Sequence, residues 1–321
     1  MKIYSPALIP IVVPFLYLSS IPCAVAQGSW TFVPPMPTGR AWPAAATGPD
    51  GIIYVVGGYD DTGDLNVLES YDPKSRQWTT LAPMPTARSA LAAATGLDGR
   101  IYAIGGVGRL DRYLDTVEAY DPATNSWTPV TPLPTRRYNH GAAMGPDGLI
   151  YVIGGENSGG PLHSVEAYDS LTDTWTTVAS MPTARLALAV ATGSDNLIYA
   201  LGGTDRRAIL AVVEAYDVTT NSWTVTAPLP TARYNLGAGT ASDGRLYAVG
   251  GYDGAYLRRA DAYVPMTGLW SPVPSMSVAR EAPAVTVGFD GAIYTAGGQY
   301  VECIEEYCEG IHTPTVEVFT P

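Results

Sequence analysis

IYAIGGVGRLDRYLDTVEAYDPATNSW, from Ile101 to Trp127, is the stretch whose reading decides the fold. It is an alternating apolar run closed by two glycines, followed by a polar loop of free composition. A second run, Val117-Glu118-Ala119-Tyr120, leads to the turn Asp121-Pro122, and Trp127 opens a third run. The same unit occurs six times. Its diglycines are Gly57-Gly58, Gly105-Gly106, Gly154-Gly155, Gly202-Gly203, Gly250-Gly251 and Gly297-Gly298, spaced by 48, 49, 48, 48 and 47 residues. Trp30, Trp78, Trp127, Trp175, Trp223 and Trp270 keep the same step. A period near 48 that holds four short strands is the mark of a propeller blade, which buries its apolar faces only by stacking on its neighbours.

Working outward, each unit opens with an Ala- and Gly-rich run, such as Ala90 to Thr95 or Leu186 to Thr192. Composition alone allows helix there. The turns Asp50-Gly51, Asp98-Gly99, Asp147-Gly148, Asp243-Gly244 and Asp290-Gly291 overrule it, because Asp-Gly favours tight hairpins between short strands. Small side chains suit an innermost strand, where blades crowd. The second strand, Ile52 to Val56 in the first unit, reads as buried on both faces. The diglycine after it supplies positive φ or bare backbone for an aromatic ring. Tyr71, Tyr120, Tyr168, Tyr216 and Tyr263, with Phe319 in the sixth unit, and the tryptophans are the expected ring partners. The last unit stops after its third strand, and Trp30 to Val33 matches the missing fourth. A six-membered ring closed by an N-terminal strand follows, which hides the sheet edges.

With MPTAR before it, GG, VExYDP and W within it, and DGxIY after it, the unit resembles the kelch repeat. The resemblance covers residues 29 to 321. It implies an all-β fold, a six-bladed kelch β-propeller with four antiparallel strands per blade. Residues 27–321 are expected to form this single domain. About function it implies little, since propellers host ligases, receptors, enzymes and scaffolds.

Eighteen basic residues against 30 acidic ones leave a net charge of −12, which argues against a nucleic-acid or anionic-membrane surface. Lys2, the apolar Ala7 to Leu18 and the A-x-A signal Ala24-Val25-Ala26 read as a secretory signal peptide over residues 1–26. The apolar stretch is short and broken by Pro10 and Pro14, so no stable membrane span is expected after cleavage. The mature chain is expected in the periplasm or outside the cell, as a monomer. It keeps Cys303 and Cys308, for which a disulfide closing a tight loop is expected. A two-cysteine metal site with Glu302, Glu305 or His312 is the alternative. No cofactor and no metal are expected.

In kelch domains the loops after each diglycine and after each PTAR share one face around the central channel. Carried over residue by residue, that face shows Arg40, Trp42, Arg88, Arg137, Tyr138, Asn139, Arg233, Tyr234, Asn235 and Glu281. The loops after the diglycines add Tyr59, Glu156, Tyr252 and Gln299. A concave aromatic and polar surface at a channel mouth is where a ligand is expected. The arginines admit two readings. Each unit also carries an acid before its Tyr or Phe (Glu69, Glu118, Glu166, Glu214, Asp261, Glu317), so forks within or between blades explain both sets. The other reading has them hold an anionic ligand. Trp42, Tyr138-Asn139 and Tyr234-Asn235 are better candidates, because the repeat does not demand them. Aromatic faces beside amides suit a sugar or a peptide turn.

His140, His163 and His312 fall in different parts of the repeat, so no His-based metal cluster is apparent, nor is a nucleophile elbow or phosphate loop. The absence of a BTB domain and the signal peptide argue against the intracellular kelch adaptors. The expected function is that of an exported binding protein, its protein or glycan ligand carrying negative charge where it meets the arginines. The alternative is a sugar mutarotase or epimerase resembling N-acetylneuraminate epimerase in fold and export, with Glu156 and Glu281 as proton carriers.

Overall fold

Each repeat folds as one four-stranded antiparallel sheet. In the second, Ala92–Thr95, Ile101–Ile104, Val117–Asp121 and Ser126–Pro129 lie side by side in chain order. The computed structural model describes residues 28–109, 112–304 and 307–321, and no helix occurs among them. The expected leader therefore lies outside the described residues. Five blades are contiguous in sequence. The sixth takes Ala284–Val287, Ile293–Ala296 and Val316–Thr320, then Ser29–Val33, with Ser29 opposite Thr320. The first strand of each blade lies against the first strands of the two neighbouring blades, and that of blade six lies against that of blade one. The six sheets thus form a closed ring.

Residue size decides which strand goes innermost. At Gly237 an added Cβ would overlap Val285 of the next blade, and at Gly239 it would come 2.7 Å from Val287. Gly237→Val should therefore destabilise by about 1–3 kcal/mol through overpacking, read as a lower urea midpoint. An unchanged midpoint would mean that blades five and six part easily. The second strands behave as their sequence asks, with Ile101, Tyr102, Ala103 and Ile104 all fully buried.

The blade-to-blade joints repeat as strictly as the motifs. Tyr120 lies opposite Trp127 with ring centroids 5.3 Å apart, and Phe319 takes the same place against Trp30 at 5.2 Å. Each indole then donates to a carbonyl of the preceding blade, as Trp127 does to Ala82 at 2.8 Å and Trp78 to Pro34 at 2.8 Å. The rings expected against the diglycines are elsewhere. Both glycines have positive φ, 55° at Gly105 and 101° at Gly106. Beside the first stand Leu, Met, Pro or His side chains and the carbonyl of the next blade's MPTAR arginine, Arg88 and Leu91 at Gly57. The N–H of the second donates to that same carbonyl, from Gly58 to Arg88 at 3.0 Å round to Gly298 to Arg40 at 2.9 Å. The diglycine is a latch between blades.

In the last blade the hairpin Gln299–Ile304 and Tyr307–His312 sets the backbone of Cys303 opposite that of Cys308. The disulfide expected there concerns side chains that lie outside the described residues.

Candidate functional site

The repeat arginines have to be taken out of the site first. Arg40, Arg88, Arg137, Arg185, Arg233 and Arg280 are all at 0% exposure. Each meets the acid of its own blade: Arg40–Glu69 at 3.0 Å, Arg88–Glu118 at 2.8 Å, Arg137–Glu166 at 2.9 Å, Arg185–Glu214 at 2.7 Å, Arg233–Asp261 at 2.9 Å and Arg280–Glu317 at 2.8 Å. Arg40, Arg88, Arg185 and Arg233 also donate to carbonyls of the second strand. In three blades the MPTAR threonine donates to the same carboxylate, Thr38 to Glu69, Thr86 to Glu118 and Thr183 to Glu214. Burial pulls the Arg40 and Arg88 guanidinium groups down to about 10, with Glu69 and Glu118 opposing. The expectation that Arg40, Arg88, Arg137 and Arg233 face a ligand is not met, because each is shut inside its blade with a partner.

What the arginines position is the residue two places on. Trp42, Ala90, Asn139, Ala187, Asn235 and Ala282 all adopt the left-handed conformation, with φ between 50° at Ala282 and 55° at Ala187. Each donates its N–H to the carbonyl of its counterpart one blade back, from Asn139 to Ala90 at 2.9 Å and Ala187 to Asn139 at 2.7 Å round to Trp42 to Ala282 at 3.1 Å. This belt rims a funnel of about 120 Å³, whose wall one residue further on is Pro43, Leu91, His140, Leu188, Leu236 and Pro283.

Around the belt, the residue after each arginine bridges to the residue after each diglycine: Ala41 to Tyr59, Ser89 to Val107, Tyr138 to Glu156, Leu186 to Thr204, Tyr234 to Tyr252 and Glu281 to Gln299. The positions expected to share a face are thereby brought together. Trp42 meets Tyr59 edge-on at 6.5 Å, Tyr138 stacks on Tyr113 at 5.0 Å and 3°, and Tyr234, Tyr252 and Tyr256 form a run at 5.5 and 5.3 Å. The two glutamates sit on opposite sides of the ring, in blades three and six. Glu156, 1% exposed, accepts from the Tyr138 hydroxyl at 3.1 Å and pairs with Arg206 of the next blade at 2.5 Å. Glu281, 6% exposed, accepts from Asn235 at 3.0 Å and Gln299 at 2.6 Å. Burial, then the neighbouring carboxylate, raises the Tyr138 and Tyr234 hydroxyls. Among the described residues no three His, Cys, Asp or Glu side chains are grouped to hold a metal ion.

A model of the KLHDC2/KLHL20/DRC7 Kelch-repeats domain matches residues 24–185 and 130–298. The chain belongs to the kelch-repeat family. The solved structure titled "Structure of YjhT" is similar, with a TM-score of 0.71 at 19% identity over 87% of this chain and 99% of that one. That likeness carries the fold alone. No curated protein matches.

Against the kelch repeat, His140 stands out, and sequence reasoning passed over it. Its place is held by Leu or Pro in the other five blades, so aligning the repeats exposes it. Neither of its ring nitrogens makes a well-formed hydrogen bond with a described residue. Burial first, then the charge of Arg137, pushes its pKa down to about 3, the Ile104 carbonyl offsetting part of this. The unfolded chain therefore takes up a proton near pH 6.5 that the folded chain refuses until about 3, so stability falls as pH drops through that window. The loss is about 2 kcal/mol between pH 7 and pH 5. His140→Leu should remove this slope, measured by urea unfolding at pH 5 and 7 on both proteins. Parallel slopes would show that another group titrates.

Proposed function

We propose that this kelch propeller is an exported binding protein whose loop face, around the funnel, takes a protein or glycan ligand. The observation that carries the reading is the concentration of non-repeating side chains on that face. Trp42, Tyr113, Tyr138, Tyr234 and Tyr252 gather where the repeat asks for none of them. The Asp-Gly turns, by contrast, repeat one interaction, a tyrosine hydroxyl on the Asp carboxylate at 2.7 Å in Tyr54, Tyr102, Tyr151 and Tyr247. Aromatic side chains with a polar tip are the usual anchors of binding surfaces. The anionic character first expected of the ligand rested on the repeat arginines, and their burial takes that support away.

The test is a glycan array and a pull-down, both with the mature chain from Gln27. Tyr138→Ala and Tyr234→Ala should each weaken capture at least about tenfold, in keeping with a loss above 1.4 kcal/mol at an aromatic anchor. Their unfolding midpoints should move far less than that of Trp127→Ala. Equal destabilisation by all three would remove the assignment. One observation favours the mutarotase reading as the second choice: Glu281 accepts from Asn235 of the belt, which sets a carboxylate beside the funnel. If it holds, exchange NMR should show the protein speeding anomer interconversion of a sugar acid, and Glu281→Gln should abolish the effect. Exchange at the uncatalysed rate with wild-type protein sinks it.

A further inference from the structure

The funnel carries more chemistry than the fold asks of it. Its belt alternates around the ring: Trp42, Asn139 and Asn235 on blades one, three and five, alanine on blades two, four and six. None of the six is glycine, the residue with least cost at this φ, and alanine evidently suffices for the hydrogen-bonded belt. A tryptophan at φ 51° is held against its own preference, and such outliers point to function when the surroundings over-determine them. One layer down the wall is apolar but for His140, which is 6% exposed and keeps both ring nitrogens buried.

Size and charge narrow the occupant. About 120 Å³ holds roughly 8–12 non-hydrogen atoms at about 10–15 Å³ each, the size of one hexose ring. The rim offers one indole and two amides. The guanidinium groups beneath are buried and paired, and the carboxylate touching the belt is Glu281, which disfavours an anion. Taking the loop face to be a binding surface, we propose that the funnel is a subsite for one uncharged, hydroxyl-bearing ring of hexopyranose size. Its apolar face lies on Trp42, and its hydroxyls meet the Asn139 and Asn235 amides.

The variants that test this return the odd blades to the residue the repeat itself uses, Asn139→Ala and Asn235→Ala, so each should keep the wild-type fold. Ligand-observed NMR on the mature chain would use free hexoses and N-acetylhexosamines, with the matching uronic acids alongside. Neutral sugars should bind, and uronic acids should bind at least about tenfold more weakly. Each single variant should weaken binding about fivefold to tenfold, as the loss of one hydrogen bond does, and the double variant should abolish it. Uronic acids binding as tightly as neutral sugars overturns the proposal, as does a double variant with wild-type affinity or a panel in which nothing binds. Capture on the array or in the pull-down separates this from the broader reading. Capture that survives the double variant but is lost with Tyr138→Ala sinks the subsite and spares the face. Capture that also survives Tyr138→Ala and Tyr234→Ala sinks both.

Discussion

Arg185→Ala should destabilise the protein by about 3–5 kcal/mol, the loss seen when one partner of a buried ion pair is removed. Arg185 has no exposed surface, and Glu214, 2.7 Å away, is 1% exposed. Truncation leaves a carboxylate inside the blade with the Thr183 hydroxyl on its other oxygen. It also frees the Ala200 carbonyl that the guanidinium had held. Urea unfolding measures the loss. The double change Arg185→Met with Glu214→Leu should recover much of it, because apolar replacements of similar volume leave no unpaired charge behind. A ligand-binding arginine predicts the reverse pattern. If Arg185→Ala unfolds at the wild-type midpoint yet loses ligand, the repeat arginines return to the site.

Trp127→Ala should cost about 2–3 kcal/mol as a truncation of a half-buried aromatic packed against the core, less than a fully buried one would. Its ring packs on Tyr120, and its N–H holds Ala82 of the preceding blade. Trp127→Phe separates the two contributions. It keeps most of the packing and drops the donor, so it should cost about 1 kcal/mol. A Phe variant as damaged as the Ala variant would make the hydrogen bond across the joint, and not the packing, the main contribution of this residue.

The repeats made the blades legible because strand period, Asp-Gly turn and diglycine each answer to local rules. They were less informative about direction. A conserved step tells that Arg88 and Glu118 serve every blade, and pairing between them was one of two readings the sequence allowed. Which way a guanidinium points depends on the curvature of the sheet and on how far its acid lies across two strands, and neither is local. The diglycine was half legible for a similar reason: its positive φ could be read, but its partner is a carbonyl roughly 30 residues on, in the next blade, and carbonyls leave no trace in a sequence. Tyr138, Tyr234, Trp42, Glu156 and Glu281 could be placed at the mouth because they depart from the repeat. His140 departs from it too, but one histidine looks inert until its apolar counterparts Leu91, Leu188 and Leu236 are set beside it. Tyr113 and Arg206 lie in loops of free length, where no register relates them to Tyr138 and Glu156.

The sheet that joins Ser29–Val33 to Val316–Thr320 has a consequence for how the chain is made. Synthesis runs in one direction, so the earliest of these strands must wait, with no strand beside it, for the latest. Until Ala282 and the strand Ala284–Val287 emerge, blades one and five can each stack on one neighbour only, and the belt around the funnel stays open. The binding surface is therefore assembled last and all at once, so a chain stalled or cut within its final blade presents unsealed edges to other chains instead of a partly working site.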